Sequence, residues 1–328
     1  MTVAMRRRPV AAACLAALAL AASPGRAAVQ ADYPSRVVTF VVPFAAGSAT
    51  DTLARVLGQR MATSLGQPVV VENVPGASGM LGAQKVARAA PDGHAVLIGT
   101  NTTNAANRSL FKKLPYDPAA DFAPVAKLGT IPLALVVHPS VPAANVRELI
   151  AHGKANPGKL SFGSGSASSR LAGEMFKSMA GVDMLHVPYK SNPPAITDLI
   201  GGQISLVIAD LTTTLPHAKE GKLKALAVTS ARRTPLAPDL PPMAEAGVPG
   251  YELTAWFAAY LPAATAEPVI ARLHAAFAAA LADPDTVGAL RAAGIEPSPS
   301  TPEELGSFTA AETEKWAKSI EAAGIEPQ

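Results

Sequence analysis

The chain has 328 residues, with 28 lysines and arginines against 25 aspartates and glutamates, and one cysteine. A formal net charge of +3 without a clustered basic face excludes an electrostatic footprint for nucleic acid. A single cysteine excludes a disulfide framework and a cysteine-rich metal site.

The first 31 residues have the organisation of a cleaved signal peptide. Three arginines at 6–8 precede an uncharged run at 9–22 that is rich in alanine and leucine. This run is shorter than the roughly 20 residues that span a bilayer. Cleavage after Ala27 or Ala31 would leave a small residue at the last position of the signal. We therefore predict a signal peptide over 1–31 and a secreted, periplasmic mature protein.

Cys14 lies inside the apolar run of the signal. A lipoprotein would need this cysteine at the cleavage point, which would leave only residues 9–13 as the apolar core. Removal of residues 1–31 takes away four arginines and no acidic residue, leaving 24 basic against 25 acidic residues, a net charge of about −1. The positive charge of the precursor is therefore a property of the export segment.

The mature chain alternates between short apolar runs and helical periodicity. The runs at 37–42, 69–71 and 95–98 predict strands buried on both faces, as in parallel sheets covered by helices. Leucine or methionine at every fourth position over 53–65 predicts an amphipathic helix, and 79–90 predicts another. The order strand, helix, strand, helix, strand predicts βαβ units with right-handed crossovers.

A second α/β unit follows Pro132 and ends in a proline-rich surface loop at 234–250. A last strand, 255–261, leads into a helical tail that has no strand of its own, so we place this tail on the first lobe. The mature chain of about 300 residues is longer than a single hydrophobic core usually supports, so we expect two lobes. Two chain crossings then form a hinge, as in clamshell solute receptors. The predicted boundaries are 32–132 plus 255–328 for lobe 1 and 133–254 for lobe 2.

Four loops rich in glycine, serine and threonine follow predicted strands, where ligands bind in open α/β sheets. They span 43–51, 75–79, 99–103 and 163–169. Each presents main-chain N–H groups and short hydroxyls at a helix start or a tight turn. Such groups can bind an anion without the help of a lysine or arginine side chain. Any one such loop taken alone is better explained as ordinary helix capping. Four of them at the same sheet edges predict a carboxylate site between the lobes.

The predicted ligand-binding residues come from these loops and from one strand end. They are Phe44, Gly47, Ser48, Thr50, Asp51, Gly76, Ser78, Thr100, Thr102, Ser164, Ser166, Ser168, Ser169 and Asp210. Three of them have a structural alternative. Phe44 would be either a crevice wall or ordinary core. Asp51 would either interact favourably with the helix dipole or orient the loop or a water near the ligand. Asp210 would either cap the next helix or face the crevice and accept from an amine or hydroxyl.

Enzyme chemistry has weak support in the sequence. No Gly-x-Ser-x-Gly turn occurs. Residues 153–160 imitate a phosphate-binding loop, but Leu160 stands where a serine or threonine must meet magnesium. The six histidines form no pair at metal-binding spacing. We predict no catalysis, no cofactor and no metal, although a serine–histidine pair built by tertiary contact, as in a periplasmic hydrolase, stays open.

Several longer stretches occur in a fixed order from about Tyr33 to the C-terminus. They include VVPFAAGSATDTLAR, GQPVVVENVPGASGMLGA, ARAAPDGHAVLIGT, LPYDPAADFAPVA, FGSGSASSRLAGEMF, HVPYKSNPPAITDLIGGQ, GKLKALAVTSARRTPLAPDLP and EAGVPGYE. Together they resemble the Bug family, the extracytoplasmic solute receptors of tripartite tricarboxylate transporters. The resemblance implies a periplasmic-binding-protein type II-like fold, with two α/β lobes joined by a two-strand hinge and a ligand cleft between them.

The same resemblance implies how such a protein works. The expected ligand is a small carboxylate held by loop main-chain groups, hydroxyls and bridging waters, and the expected partners are the membrane subunits of a transporter. We expect a monomer. A periplasmic sensor that signals solute to a two-component system is the alternative, because it would use the same fold and the same closure.

Three positions depart from the family pattern. Ser48 stands where many members have a second glycine, and Ser169-Arg170 stands where others have threonine or serine followed by histidine. Ser191-Asn192-Pro193 replaces a small Gly-Ala stretch. These departures lie at or near the predicted cleft and leave room for a ligand other than the better-known dicarboxylates.

Overall fold

The computed structural model describes residues 1–2 and 33–328. The chain divides at Tyr33 into two units, and every element below belongs to the second, Pro34–Gln328. The predicted signal peptide lies outside the described residues, apart from residues 1–2. Among the residues described, no helix has the length and apolar character needed to cross a bilayer.

The strands of the described chain are β1 (Val38–Val42), β2 (Val69–Asn73), β3 (Ala95–Thr100), β4 (Phe122–Val137), β5 (Leu160–Ser164), β6 (Met184–Pro188), β7 (Leu206–Asp210), β8 (Lys224–Val228), β9 (Thr254–Pro262) and β10 (Glu296–Pro297). The α-helices are α1 (Ala49–Leu65), α2 (Met80–Ala87), α3 (Asn107–Leu110), α4 (Val146–Ala155), α5 (Ala167–Ala180), α6 (Asn192–Ile200), α7 (Leu211–Lys219), α8 (Met243–Ala246), α9 (Glu267–Ala282), α10 (Pro284–Ala292) and α11 (Pro302–Ala322). A 3-10 turn spans Ala77–Gly79, and a π-helical turn spans Thr102–Ala106.

The strands lie in the order β2-β1-β3-β9-β4-β7-β5-β6, and β8 and β10 each pair with β4. In the first lobe β1 is parallel to β2 and β3, and in the second β5 is parallel to β6 and β7. The two parallel sets confirm the two-lobed α/β fold. In both sets the carboxyl ends of parallel strands lead into the loops that carry most of the predicted site.

The long strand β4 passes from one lobe to the other. Its residues 122–132 pair with β9. Beyond them, residues 133–137 pair with β7 on one side, and residues 134–137 pair with β8 on the other. Pro132 was expected to precede a new strand, but it lies inside β4, opposite Thr254 at the end of the ladder with β9. Proline lacks a backbone N–H, and it is tolerated here because the strand changes partners at this position.

Thr229 joins the two chain segments that cross between the lobes. Its N–H donates to the carbonyl of Leu133 at 2.9 Å, and its carbonyl accepts from the N–H of Leu253 at 2.9 Å. Its hydroxyl donates to the carbonyl of Leu253 at 2.7 Å and accepts from the N–H of Leu133 at 2.8 Å. Thr229 is fully buried, so the two-strand hinge contains a shared hydrogen-bond network that is shielded from bulk solvent.

The helical tail packs against the first lobe's sheet. Helix α9 lies on β4 and beside α1, and α11 also contacts β4. The rings of Phe40 in β1 and Phe277 in α9 stack with centroids 5.5 Å apart. The indoles of Trp256 and Trp316 both donate to Glu312, at 2.9 and 3.0 Å, so a buried carboxylate ties α11 to β9. The predicted lobe boundaries themselves stay a prediction.

Candidate functional site

A crevice between the lobes is lined by both halves of the described chain and holds about 310 Å³ of atom-free space, part of it open to solvent. The first lobe contributes Phe44, Ser48, Thr50, Thr100, Asn101, Thr102, Ala255 and Phe257. The second contributes Ser166, Ser168, Ser191, Asn192 and Asp210. Hydroxyls and amides dominate this lining, and of the described residues in it only Asp210 is ionisable.

The loop between β1 and α1 forms one corner of the crevice. Ser48 is the N-cap of α1, and its hydroxyl accepts from the N–H of Asp51 at 3.3 Å. Gly47 has a φ of 78°, a left-handed conformation that favours glycine. The first N–H groups of α1 have no partner within the helix, and the helix dipole gives this end a partial positive charge. This corner therefore suits a negatively charged group.

Asp51 does not line the crevice, but its side chain is hydrogen-bonded to the loop between β1 and α1. Its carboxylate accepts from the N–H of Gly47 at 3.0 Å, from Nδ2 of Asn73 at 2.9 Å and from Nε of Arg55 at 3.0 Å. Burial alone would raise the pKa of Asp51, but the hydrogen bonds from Arg55, Gly47 and Asn73 outweigh burial and lower it. Asp51 therefore orients the loop as an ionised group.

The loop after β3 forms a second corner and continues into the π-helical turn. The hydroxyl of Thr103 accepts from the N–H of Thr100 at 3.0 Å, and the hydroxyl of Thr100 accepts from the N–H of Thr102 at 3.2 Å. These bonds fold the chain back on itself, so Thr100, Asn101 and Thr102 all face the crevice. Single π-helical turns of this kind are frequent at functional sites.

The start of α5 forms the corner in the second lobe. Ser166 is its N-cap, with the hydroxyl accepting from the N–H of Ser169 at 3.2 Å. The hydroxyl of Ser169 points the other way and donates to the carbonyl of Ile208 in β7 at 2.6 Å. Ser169 therefore fastens α5 to the sheet, while Ser166 and Ser168 remain in the crevice lining.

Asp210 faces the crevice and does not cap α7 with its side chain. Its carboxylate accepts from Nδ2 of Asn192 at 2.9 Å. The start of α7 is held instead by the hydroxyls of Thr213 and Thr214, which both donate to the main-chain carbonyl of Asp210 at 3.0 Å. Burial raises the pKa of Asp210, and the hydrogen bond from Asn192 only partly opposes this.

Three hydrogen bonds join the lobes directly across the crevice. Nδ2 of Asn101 donates to the hydroxyl of Ser168 at 2.9 Å, and the N–H of Ala167 donates to the hydroxyl of Thr102 at 3.2 Å. The N–H of Ala45 donates to the hydroxyl of Ser191 at 3.3 Å. The structure therefore represents a closed arrangement of the two lobes.

The predicted site residues fall into two groups. Those that line the crevice are Phe44, Ser48, Thr50, Thr100, Thr102, Ser166, Ser168 and Asp210. Those outside its lining are Gly47, Asp51, Gly76, Ser78, Ser164 and Ser169. Gly76 and Ser78 shape the tight turn before α2, with φ angles of 134° and 52°. The members outside the lining thus position loops or have their side chains turned away.

Five lining residues were absent from the predicted set: Asn101, Ser191, Asn192, Ala255 and Phe257. Ala255 and Phe257 lie within β9, and a strand interior carries no loop signal. Ser191 and Asn192 precede two prolines at the start of α6, a pattern that indicates a helix start. That pattern could have added a fifth loop to the predicted site.

The structure contains a serine–histidine contact outside the crevice lining, with Oγ of Ser164 2.7 Å from Nε2 of His186. Burial, with Arg170 and Lys177 nearby, lowers the pKa of His186 to about 4. A nucleophilic serine needs a histidine that a carboxylate orients and stabilises when protonated. His186 instead has the cations Arg170 and Lys177 nearby, which disfavour its protonated form, so the pair does not support hydrolysis. The described residues contain no cluster of metal-binding side chains.

Comparison with known proteins agrees with this geometry. Residues 53–325 match the family described as "Tripartite tricarboxylate transporter family receptor". The chain is 37% identical over 302 residues to Protein BugT of Bordetella pertussis, covering 91% of this chain and 93% of BugT. The structure of R. palustris Rpa4515 with adipate has a TM-score of 0.88 and 38% identity, covering 90% of this chain and 100% of that one. The periplasmic binding protein BugD gives a TM-score of 0.87 and 38% identity, with coverage of 90% and 100%.

Proposed function

Because the chain belongs to the Bug family of tripartite tricarboxylate transporter receptors, we propose that its crevice binds one small carboxylate-bearing solute for delivery to the membrane subunits of such a transporter. One observation carries this proposal. Neutral hydrogen-bond donors from both lobes converge on a crevice that holds no lysine, arginine or histidine among its described lining residues. The adipate in the related Rpa4515 structure is a ligand of the same chemical class.

The start of α1 is the proposed seat of the carboxylate. Its unpartnered main-chain N–H groups and the hydroxyls of Ser48 and Thr50 supply donors, and the helix dipole contributes about 0.3–1 kcal/mol. Hydrogen bonds to an ionised acceptor are roughly twice as strong as those between neutral groups. Bridging waters complete the contacts at little energetic cost. A few such bonds supply the roughly −8 kcal/mol of a micromolar affinity.

The ligand acts by favouring closure. Donors on both sides of the crevice can reach one solute only when the lobes approach each other, so the solute prefers the closed form. A conversion from mostly open to mostly closed needs a preference of about 10⁴-fold. The hydrogen bonds between the lobes contribute to the closed state independently of the solute.

The proposed location is the periplasm, and the proposed state is a monomer without catalytic activity. The periplasmic location follows the family and the composition of residues 1–31. The absence of catalysis is supported by the cationic surroundings of His186 and by the lack of an ionisable crevice residue other than Asp210. The lobe boundaries proposed above follow the change of partners along β4.

A thermal-shift screen of the purified protein against small mono- and dicarboxylates tests this function. Binding to the folded state raises its stability by RT ln(1 + [L]/Kd), so millimolar ligand raises the midpoint visibly at micromolar affinity. Calorimetry on the hits then compares the wild type with Ser48→Ala. The proposal fails if no carboxylate raises the midpoint, or if Ser48→Ala leaves the affinity for the bound ligand unchanged. Loss of solute uptake in a deletion strain separates delivery to a transporter from a purely sensory role.

A further inference from the structure

The turn formed by Ser191 and Asn192 is seated directly on the second-lobe corner of the crevice. A Cβ placed on Gly165 would lie 1.9 Å from the carbonyl carbon of Ser191 and 2.2 Å from the nitrogen of Asn192. Main chain therefore packs against main chain, and only glycine fits at position 165. The position of the turn in the crevice is fixed by this contact.

Asn192 uses both ends of its side-chain amide inside the crevice. Oδ1 accepts from the N–H of Gly165 at 3.0 Å, and Nδ2 donates to Oδ2 of Asp210 at 2.9 Å. The orientation of the amide follows, because Gly165 offers only a donor and an ionised Asp210 only acceptors. Asn192 is 4% exposed. It thus occupies the main-chain N–H of Gly165, next to the crevice-lining residue Ser166.

Ser191 lies next to Asn192 in the crevice lining and contacts the first lobe. Its hydroxyl accepts from the N–H of Ala45, in the loop that leads to α1, at 3.3 Å. Both residues of the turn line the crevice, and Asp210 lies beside them. The second-lobe end of the crevice therefore presents the side-chain amide of Asn192 and the part-buried carboxylate of Asp210. A second negative group at this end would meet Asp210 and no free cation among the described lining residues.

We propose that Ser191 and Asn192 determine specificity by shortening the crevice, so that the solute is a short monocarboxylate whose far end donates a hydrogen bond to Asp210. A hydroxyl, an amide or an amine would serve as that donor. The carboxylate of Asp210 has lone pairs beyond the one that Asn192 uses, so it can accept from both. This inference rests on the proposed function, because it assigns the far end of the same solute.

Calorimetry with two matched ligand series tests the proposal. The four-carbon series is succinate, 4-hydroxybutyrate and 4-aminobutyrate, and the six-carbon series is adipate, 6-hydroxyhexanoate and 6-aminohexanoate. For the wild type we expect at least one of the donor-ended four-carbon acids to bind at least tenfold tighter than succinate, and tighter than its six-carbon counterpart. Asn192→Gly should improve six-carbon binding relative to four-carbon binding by at least tenfold, because it frees the N–H of Gly165 and the space of the side chain.

Two further variants keep the test sharp. Asn192→Ala removes the same amide without adding backbone freedom, so it covers the case in which Asn192→Gly does not fold. Asn156→Gly is the matched control, since Asn156 ends α4 and lies outside the crevice lining. Succinate binding as tightly as the donor-ended acids, or an unchanged length preference in both Asn192 variants, overturns the inference alone. Binding of no carboxylate by any of these proteins overturns the proposed function, and the inference with it.

Discussion

Nδ2 of Asn101, in the loop after β3, lies 2.9 Å from the hydroxyl of Ser168, at the start of α5 in the other lobe. Both residues are buried. A hydrogen bond of this kind stabilises the closed lobes without help from a solute, and it lowers the differential affinity that a solute must supply.

Ser168→Ala should therefore shift the protein toward the open form. A typical net hydrogen bond contributes about 0.5–1.5 kcal/mol, so solute affinity should fall roughly two- to tenfold. Small-angle scattering of the solute-free protein should show a larger radius of gyration. Ser178→Ala, at an exposed position of the same helix, serves as the control. Scattering and affinity indistinguishable from this control would contradict the prediction.

Gly47→Val should weaken solute binding while the protein stays folded. A Cβ on Gly47 meets nothing within 4 Å, but its φ of 78° strains a valine by about 1–3 kcal/mol, and the loop relaxes away from its position beside Ser48. We expect at least a tenfold loss of affinity by calorimetry. Gly66→Val provides a close match, because Gly66 also has a positive φ and open space, at the far end of α1. Equal losses in both variants would show that the effect is general destabilisation.

Asp51→Asn should destabilise the protein at neutral pH. The lowered pKa of Asp51 means that its ionised form stabilises the fold above the unfolded-state pKa near 3.8, and that this contribution is lost as pH falls through the folded-state pKa. The loss at pH 7 should be about 1.5–3 kcal/mol, as for hydrogen bonds to a charged group. Denaturant unfolding at several pH values should show the two proteins converging in acid. A difference that stayed constant with pH would rule out this explanation, and Asp285→Asn on the surface controls for charge loss.

Asp210→Asn should have the opposite effect on stability. Because burial raises the pKa of Asp210, the contribution of this residue to stability is greatest below the unfolded-state pKa near 3.8 and is lost as pH rises through the folded-state pKa. Each unit of upward shift costs about 1.4 kcal/mol at neutral pH. The variant should melt at a higher temperature at pH 7, with the difference shrinking in acid. A lower melting temperature at pH 7 would mean that the charge contributes favourably through a partner not identified above.

Much of the fold could be predicted from local pattern. The run of β1, apolar apart from Thr39, and the apolar run at 95–98 in β3 predicted buried strands. Thr301 and Glu304 form a capping box at the start of α11, a pattern that is also visible in the sequence. The first half of β4 was missed because its pattern is irregular. Its register with β9 shifts between Pro124 and Ala126 and again between Lys127 and Gly129. Each shift moves side chains to the other face and removes the alternation that indicates a strand.

The candidate site divides in the same way. Ser48 and Ser166 follow strands and precede helices, a local signal that the sequence carries. Asn192 was expected near the cleft but was not among the predicted ligand-binding residues, because its role depends on Gly165 and Asp210, which lie 27 and 18 positions away in the chain. Ser169 has the right composition and the right loop, but its hydroxyl turns to β7. Composition predicts where a binding loop lies, and tertiary packing decides which of its side chains face the ligand.

The network around Thr229 limits how the lobes can move. Leu133 and Leu253 belong to the two segments that cross between the lobes, and both are bonded to the same buried residue. Sliding one segment past the other would break several of these bonds at once at a buried position. Bending both segments together keeps them. Opening should therefore be a rotation of the lobes without shear. Each time the lobes close again after releasing a solute, the start of α5 would return to the same position opposite Thr102.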